Sequence, residues 1–255
     1  MNYELLTSIV LEASKLMLTD TFEISQKDGY SNIVTSSDLA VQQFLMQRLS
    51  EALPGCGFLC EESDSWDLQH TDVWIIDPID GTANYSRGIH ECGISVGLQR
   101  DGVMEMAVVY VPRSGELFSA QRGQGAYLNG KPLRVSTRPF ANSILCTALP
   151  VYHKEYAPQC GQIILETFLR CNVVRRFGAA APELCYLAMG RCELYFEYLL
   201  SPWDFAAASL IVQEAGGMLT DLDGNPLCCT RPSGVVAANN PANHAQFLDI
   251  VKQYK

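Results

Sequence analysis

The sequence predicts an α+β fold, in which amphipathic helices are interleaved with strands that form hairpins. Residues 3–18 and 38–53 repeat apolar side chains at helical spacing. Residues 93–99 and 103–111 are strand-like runs on either side of a turn at 100–102. Because neighbouring strands joined as hairpins are typical of layered α+β proteins, we expect helices packed on sheets within one chain.

The first half of the chain has clear signals for where a helix begins and ends. Ser36 or Ser37 is a candidate cap for the helix over 38–53, and Pro54-Gly55 ends it. Residues 21–37 have no period and predict a loop or a short hairpin. Further strands of the first half are predicted over 57–60, 73–76 and 116–120.

The second half alternates the same elements, and Gly216-Gly217 is a typical helix end. Residues 221–225 resemble a calcium loop only superficially, because Pro226 stands where such a loop needs Gly, so we expect a hairpin turn. We predict one domain over 1–255, with two intimate subdomains of approximately 1–140 and 141–255. Strands are predicted over 143–149, 172–177 and 193–197, and helices over 155–170, 180–190, 203–215 and 241–253.

Charge and composition restrict the partners. Lys and Arg number 18 against 28 Asp and Glu, for a formal net charge of −10. Such a surface disfavours nucleic acid and anionic membranes as partners. No signal peptide or membrane span is visible, so a cytoplasmic location is expected. The ten cysteines lack zinc-ligand spacing and are predicted to be buried, reduced thiols.

Two carboxylates directly follow the apolar run at 73–76. Asp77 and Asp80 are separated by only two residues, so their charges repel unless a cation lies between them. Glu61-Glu62 follows another short apolar run. Oxygen ligands without a Cys/His set favour Mg²⁺ over zinc. A loop with two solvated aspartates is the alternative for this motif alone.

Four motifs in register resemble those of the inositol monophosphatase family. Residues 77–82 read D-P-I-D-G-T, and 61–63 read E-E-S after Cys60, where the family more often has Gly. Residues 34–38 match V-T-x-x-D, and 203–217 match W-D-x-A-A followed by E-A-G-G. The resemblance runs from about residue 27 to Asn240. It implies a layered α-β-α-β-α sandwich, as in the inositol monophosphatase and fructose bisphosphatase superfamily, and a lithium-sensitive, Mg²⁺-dependent phosphatase that forms a homodimer.

The same resemblance implies a metal site of two or three Mg²⁺ ions. Glu61, Asp77 and the backbone carbonyl of Ile79 match the ligands of the first ion. Asp77, Asp80 and Asp204 match those of the second, so Asp77 bridges, and a third ion would also use Glu61.

Catalytic and substrate positions carry over in the same way. Asp38 and Thr82 match the pair that orients the attacking water, with Glu61 also assigned to catalysis. The amides of Gly81 and Thr82 match the phosphate-binding groups. Substrate contacts are predicted from Gly81, Thr82, Ala180, Glu197 and Asp204.

Several of these residues have simpler explanations. Asp38 and Asp204 each stand at the start of a predicted helix, where a carboxylate is favoured as a cap. Glu197 lies on a predicted strand and could be a surface residue, and Trp203 is expected to be core packing. Lys27 resembles a family lysine, and a solvated surface role is the alternative.

The predicted function is a phosphoric monoester hydrolase that acts on inositol monophosphate or a related polyol or sugar phosphate through metal-activated water. Residues 199–202 replace the family's more usual Gly-Ile-His-Cys, which lines the alcohol side of the site. Alternative substrates are therefore fructose 1,6-bisphosphate, histidinol phosphate and a 3′-phosphoadenosine nucleotide. A further alternative is a non-enzymatic role, because some members of the family bind other proteins, such as the transcription machinery.

Overall fold

Most predicted helices form close to the expected ranges, in a computed structural model that describes residues 3–18, 22–26 and 33–255. The first helix buries Leu6, Ile9 and Ala13 on one face, which is the predicted apolar stripe. The second begins at Ser36 and is capped by the side chain of Thr35, rather than by the expected Ser36 or Ser37. The helices of the described residues are α1 (Tyr3–Met17), α2 (Ser36–Ala52), α3 (Thr82–Tyr85), α4 (Ala157–Phe168), α5 (Ala180–Ala188), α6 (Pro202–Glu214) and α7 (Pro241–Tyr254).

The strands of the described residues form three sheets. A short antiparallel pair joins β1 (Ile24–Gln26) to β2 (Ile33–Thr35), so the hairpin alternative for this region is confirmed where it is described. Lys27 lies outside the described residues. The remaining strands are β3 (Gly57–Cys60), β4 (Asp72–Asp80), β5 (Gly93–Arg100), β6 (Val103–Val111), β7 (Glu116–Gln121), β8 (Ala126–Leu128), β9 (Lys131–Pro132), β10 (Ile144–Thr147), β11 (Val173–Arg175), β12 (Leu194–Leu200), β13 (Met218–Thr220) and β14 (Ser233–Ala238).

The larger sheet has seven strands, in the spatial order β3-β4-β5-β6-β7-β8-β9. Only β3 and β4 run parallel, and the other neighbours are antiparallel, as expected for strands joined by hairpins. One face is covered by α1 and α2, and the opposite face by α6 together with α5. The two faces contribute to two separate apolar clusters, because side chains alternate across the sheet.

The smaller sheet has five strands, in the order β11-β10-β12-β14-β13. Strand β10 is parallel to both of its neighbours, whereas β14 is antiparallel to β12 and β13. Helices α4 and α7 pack on its outer face around Phe247 and Ile163. Since α5 and α6 occupy the space between the two sheets, the layers are helix, sheet, helix, sheet, helix, which confirms the predicted fold class.

The structure extends or adds strands where the sequence pattern is weak. Strand β4 continues to Asp80, although the apolar run suggested an end at Ile76, because pairing with β5 resumes past a bulge between Asp77 and Asp80. Strands β8, β9, β13 and β14 were not predicted, and the first three are too short to show a period. Residues 221–225 form the expected turn, in which Asp221 Oδ1 accepts hydrogen bonds from the backbone of Asp223 and Asn225 at 2.8 Å each.

All ten cysteines are free thiols, as expected, although Cys56, Cys171 and Cys228 are only partly buried. Among the described residues, no helix has both the length and the apolar character that crossing a membrane requires.

Candidate metal centre

Three structural segments meet at the edge of the larger sheet where β4 ends. The bulge in β4 carries Asp77 and Asp80, and Glu61 follows β3, which is the parallel neighbour of β4. The first turn of α6, in the middle layer, supplies Asp204. The backbone amide of Glu61 donates to the Ile76 carbonyl at 3.2 Å, which fixes the chain of Glu61 next to Asp77. Residues distant in sequence thus converge because strand ends and helix starts share this edge.

Asp77 is the most deeply buried of these acids. Its side chain is 1% exposed, and its Oδ1 has no hydrogen-bond partner among the described residues. Burial raises the pKa of Asp77 well above its ordinary value, and the charges of Glu61, Asp80 and Asp204 raise it further. A buried carboxylate surrounded by like charges is unfavourable unless a cation offsets them.

Asp80 and Asp204 are each held by a backbone amide. Asp80 Oδ2 accepts from Ala181 N at 2.6 Å, and Asp204 Oδ2 accepts from Ser201 N at 2.7 Å. Burial raises the pKa of Asp80 to about 6, while the Asp204 pKa is raised well above its usual range by burial and by the charges of Asp80 and Glu61. Asp204 therefore caps its helix and also belongs to the acidic cluster.

The donor set fits Mg²⁺. All of the clustered side chains present oxygen, and Asp77 Oδ1 is an orphaned acceptor at the centre of the cluster. Within the described residues, no three His, Cys, Asp or Glu side chains already form a closed metal cage.

Asp38 and Thr82 form a second contact beside the acids. Thr82 Oγ1 donates to Asp38 Oδ1 at 3.2 Å and lies 3.1 Å from the Ile79 carbonyl. The other oxygen of Asp38 accepts from Thr35 N at 2.8 Å and from the Thr35 hydroxyl. Burial raises the pKa of Asp38, and its hydrogen bonds oppose that rise. Asp38 thus caps α2 and contacts Thr82 at the same time.

A cavity of about 670 Å³ opens in front of the acids. Eight of the residues predicted for the site line it, whereas Asp38 and Asp77 lie behind its wall. Glu197 faces it from β12, where Tyr195 Oη donates to Glu197 Oε1 at 2.8 Å and burial raises the Glu197 pKa to about 8. The eight lining residues are Glu61, Ile79, Asp80, Gly81, Thr82, Ala180, Glu197 and Asp204.

Gly81 is required by the shape of this wall. Its φ of +86° suits glycine, and an added Cβ would lie 3.0 Å from the Glu91 carbonyl and 3.1 Å from Ala179 Cβ. The chain from 178 to 180 therefore passes close against the turn at Gly81.

Sequence reasoning missed several residues of the cavity. Trp203 lines it and meets Trp66 edge to face, with ring centroids 5.7 Å apart, so it is more than core packing. Arg87, Arg176 and the loop at 149–153 also line the cavity. Arg87 follows the D-P-I-D-G-T motif closely and Arg176 precedes Gly178, but the loop at 149–153 carries no motif that could have marked it.

Comparisons with known proteins agree with this geometry. The chain is 40% identical over 224 residues to the Nus factor SuhB of Escherichia coli, covering 87% of this chain and 83% of that protein. The extragenic suppressor protein SuhB of Bartonella henselae superposes with a TM-score of 0.91 at 30% identity, covering 98% of each chain. An inositol monophosphatase of Anabaena (Nostoc) superposes at 0.87 with 29% identity, covering 99% of this chain and 96% of that one.

The family model described as the inositol monophosphatase family matches residues 2–255. This match spans all four motifs, the five layers and the acidic cluster at the end of β4. The chain therefore belongs to the inositol monophosphatase family.

Proposed function

We propose that this chain is a Mg²⁺-dependent phosphomonoesterase that hydrolyses inositol monophosphate or a related polyol or sugar phosphate. The observation that carries the proposal is the cluster of Glu61, Asp80 and Asp204 around Asp77, whose orphaned carboxylate oxygen lies just behind the wall of a cavity. Family membership supports hydrolase chemistry and a small phosphate ester as substrate.

In the proposal, Glu61, Asp77, Asp80, Asp204 and the Ile79 carbonyl hold two or three ions. Bound Mg²⁺ supplies electrostatic stabilisation of phosphate oxygens and a lowered pKa for bound water. Phosphate monoesters hydrolyse so slowly unaided that the site must lower the barrier by about 20 kcal/mol or more.

The protein's own groups position the reactants. Thr82 donates to Asp38, so its hydroxyl oxygen is held with a lone pair free to accept a hydrogen bond from an attacking water. The buried Asp38 carboxylate fixes the direction of that hydroxyl and can share the proton that water loses. The amides of Gly81 and Thr82 are assigned to phosphate oxygens, and Ala180 and Glu197 to substrate hydroxyls.

Phosphate release from inositol 1-phosphate tests the proposal. We expect release that requires Mg²⁺ and is inhibited by Li⁺ and by excess Mg²⁺. Asp80→Asn and Asp204→Asn should each remove nearly all turnover, because each deletes a charged ligand, while circular dichroism shows an unchanged fold. A panel of sugar, polyol and nucleotide monophosphates would identify the preferred ester. A folded, Mg²⁺-loaded chain that releases phosphate from none of them would overturn the proposal.

A second candidate is a Nus-factor role. It is favoured by the identity with the Escherichia coli protein of that name. This role would not need the acids, so Asp80→Asn should retain binding to the transcription machinery while it loses phosphatase activity. Failure of both the parent and the variant to bind the transcription machinery would remove this candidate.

The proposal of a phosphomonoesterase also includes the homodimer and the cytoplasmic location that the sequence predicts.

A further inference from the structure

The carboxylate of Glu183 is buried beneath the cavity wall. Glu183 lies in α5 and is 0% exposed. Its Oε1 accepts hydrogen bonds from Phe177 N at 2.9 Å and Gly178 N at 2.7 Å. Its Oε2 has no partner among the described residues, and burial raises the pKa of Glu183 to about 7. Burying a carboxyl group with one unpartnered oxygen costs folding free energy. We therefore look for the role of Glu183 in the geometry of the segment that it holds.

The segment 177–180 is also held from its other side. Asn84 Nδ2 donates to the Phe177 carbonyl and to the Glu91 carbonyl, at 2.7 Å each. Gly178 has a φ of +88°, and a Cβ there would lie 3.3 Å from Asn84 Nδ2. The segment is thus clamped between Asn84 and Glu183, with little space for it to shift.

This clamped segment forms part of the site. Ala180 lines the cavity, and the next amide, Ala181 N, donates to Asp80 Oδ2 at 2.6 Å. Ala179 also packs against the turn at Gly81. A displacement of 177–180 would therefore move the amide that orients Asp80 and the wall that faces the substrate.

We propose that Glu183 is a positioning residue, whose carboxylate holds 177–180 so that the Ala181 amide orients Asp80 for metal binding. The inference rests on the proposed assignment of Asp80 as a Mg²⁺ ligand. Groups that orient a ligand from behind typically change metal affinity by 10–100-fold when they are removed. Glu183 acts through two backbone amides and Asp80, and it does not touch the substrate.

Isothermal titration of the full chain with Mg²⁺ alone tests this inference. Glu183→Ala should weaken Mg²⁺ binding about tenfold, because both amides lose their acceptor and the segment shifts. Glu183→Gln keeps a carbonyl oxygen at the same reach and should bind Mg²⁺ within about threefold of the parent. In turnover, the alanine variant should need more Mg²⁺ for half-maximal rate, with a smaller change in kcat at saturating Mg²⁺.

Glu214→Ala is the matched control. Glu214 also accepts from two backbone amides, Gly123 N and Gly125 N at 2.8 Å each, but it does not line the cavity. It should lose stability without losing Mg²⁺ affinity.

Parent-like Mg²⁺ affinity in a folded Glu183→Ala chain would overturn the inference. An equal loss of Mg²⁺ affinity in Glu214→Ala would also overturn it. If Glu183→Ala fails to fold, Asn84→Ser is used instead, because it releases the segment 177–180 from its other side. Parent-like Mg²⁺ affinity in Asn84→Ser would then overturn the inference. A parent chain that binds no Mg²⁺ overturns the inference together with the metal assignment. A parent that binds Mg²⁺ without hydrolysing any phosphate ester overturns the proposed function alone.

Discussion

At the residue scale, the site consists of charges that the fold places together against their own repulsion. Asp77 lies among Glu61, Asp80 and Asp204, and burial adds to the unfavourable energy of the charges on the three aspartates. Helix caps account for one oxygen each of Asp38 and Asp204 but not for the clustering. The metal-free protein therefore carries local strain of electrostatic origin, which Mg²⁺ would relieve.

Asp77→Asn should raise the melting temperature of the metal-free chain, because it removes a buried charge that three neighbours repel. The gain should be on the order of 1 kcal/mol, or about 2–4 °C. Thermal unfolding in EDTA and in Mg²⁺ measures it. The parent should be stabilised by Mg²⁺, by about 2.7 kcal/mol at 100 times the dissociation constant, and the variant should lose this response. A lower melting temperature for Asp77→Asn in EDTA would contradict the repulsion argument.

The stability of the metal-free chain should fall as the pH rises from about 5 to 8. Burial raises the pKa of Glu197 from 4.5 to about 8, and that of Glu183 to about 7. Within this window the unfolded chain has already released these protons, so it binds fewer than the folded chain, and rising pH favours unfolding.

Urea unfolding in EDTA at pH 5.5 and pH 8 measures this trend. Glu197→Gln should reduce the loss by on the order of 1 kcal/mol or more, since one pKa unit corresponds to about 1.4 kcal/mol. Burial lowers the pKa of His244, so this residue makes stability rise with pH below pH 6.5. Its effect is the same in the parent and in Glu197→Gln, so it cancels in the comparison. An equal pH dependence in the parent and the variant would count against a buried, proton-binding Glu197.

At the element scale, the connection between the two large sheets is fastened by one buried acid. Glu193, 0% exposed, stands just before β12. Its Oε1 accepts from Ser136 Oγ at 2.8 Å and Arg138 Nη1 at 2.7 Å, and its Oε2 accepts from Ile144 N at 2.8 Å. These bonds tie the chain that leaves the larger sheet to the first strand of the smaller one.

Glu193→Ala should destabilise the protein by about 2–4 kcal/mol, because it removes the shared acceptor of the partly buried Ser136 hydroxyl and Ile144 amide and the ionic partner of Arg138. Arg170→Ala is the comparison, since it breaks only the exposed pair with Glu166 at 3.1 Å and should change stability by less than about 1 kcal/mol. Urea denaturation of both variants measures the difference. Similar losses in the two would show that the buried network contributes little.

At the scale of the whole molecule, the two halves share their middle layer. The larger sheet lies wholly before residue 140, but α5 and α6, which cover its inner face, come from the second half. We propose that 1–140 and 141–255 are intimate subdomains of a single catalytic domain, joined through this layer and through the site.

The isolated fragment 1–140 should therefore not fold by itself, because it would expose the apolar face that α6 covers. Circular dichroism and amide exchange of the fragment, compared with the full chain, measure this. The full chain should unfold in one cooperative transition by both probes. A stably folded fragment, or two separate transitions, would contradict the shared-core proposal.

The sequence by itself determined the fold class, most long elements and the family, since these depend on local periodicity and on contiguous motifs such as residues 77–82. It also predicted the acids that the structure brings together at the end of β4. Only the tertiary structure decided that Asp77 is left with an orphaned oxygen, that β4 continues through a bulge to Asp80, and that Glu183 and Asn84 clamp the wall beside it. The position of the wall beside Asp80 depends on contacts between segments about 100 residues apart, such as Asn84 with Phe177 and the Ala181 amide with Asp80, and no local pattern encodes such contacts.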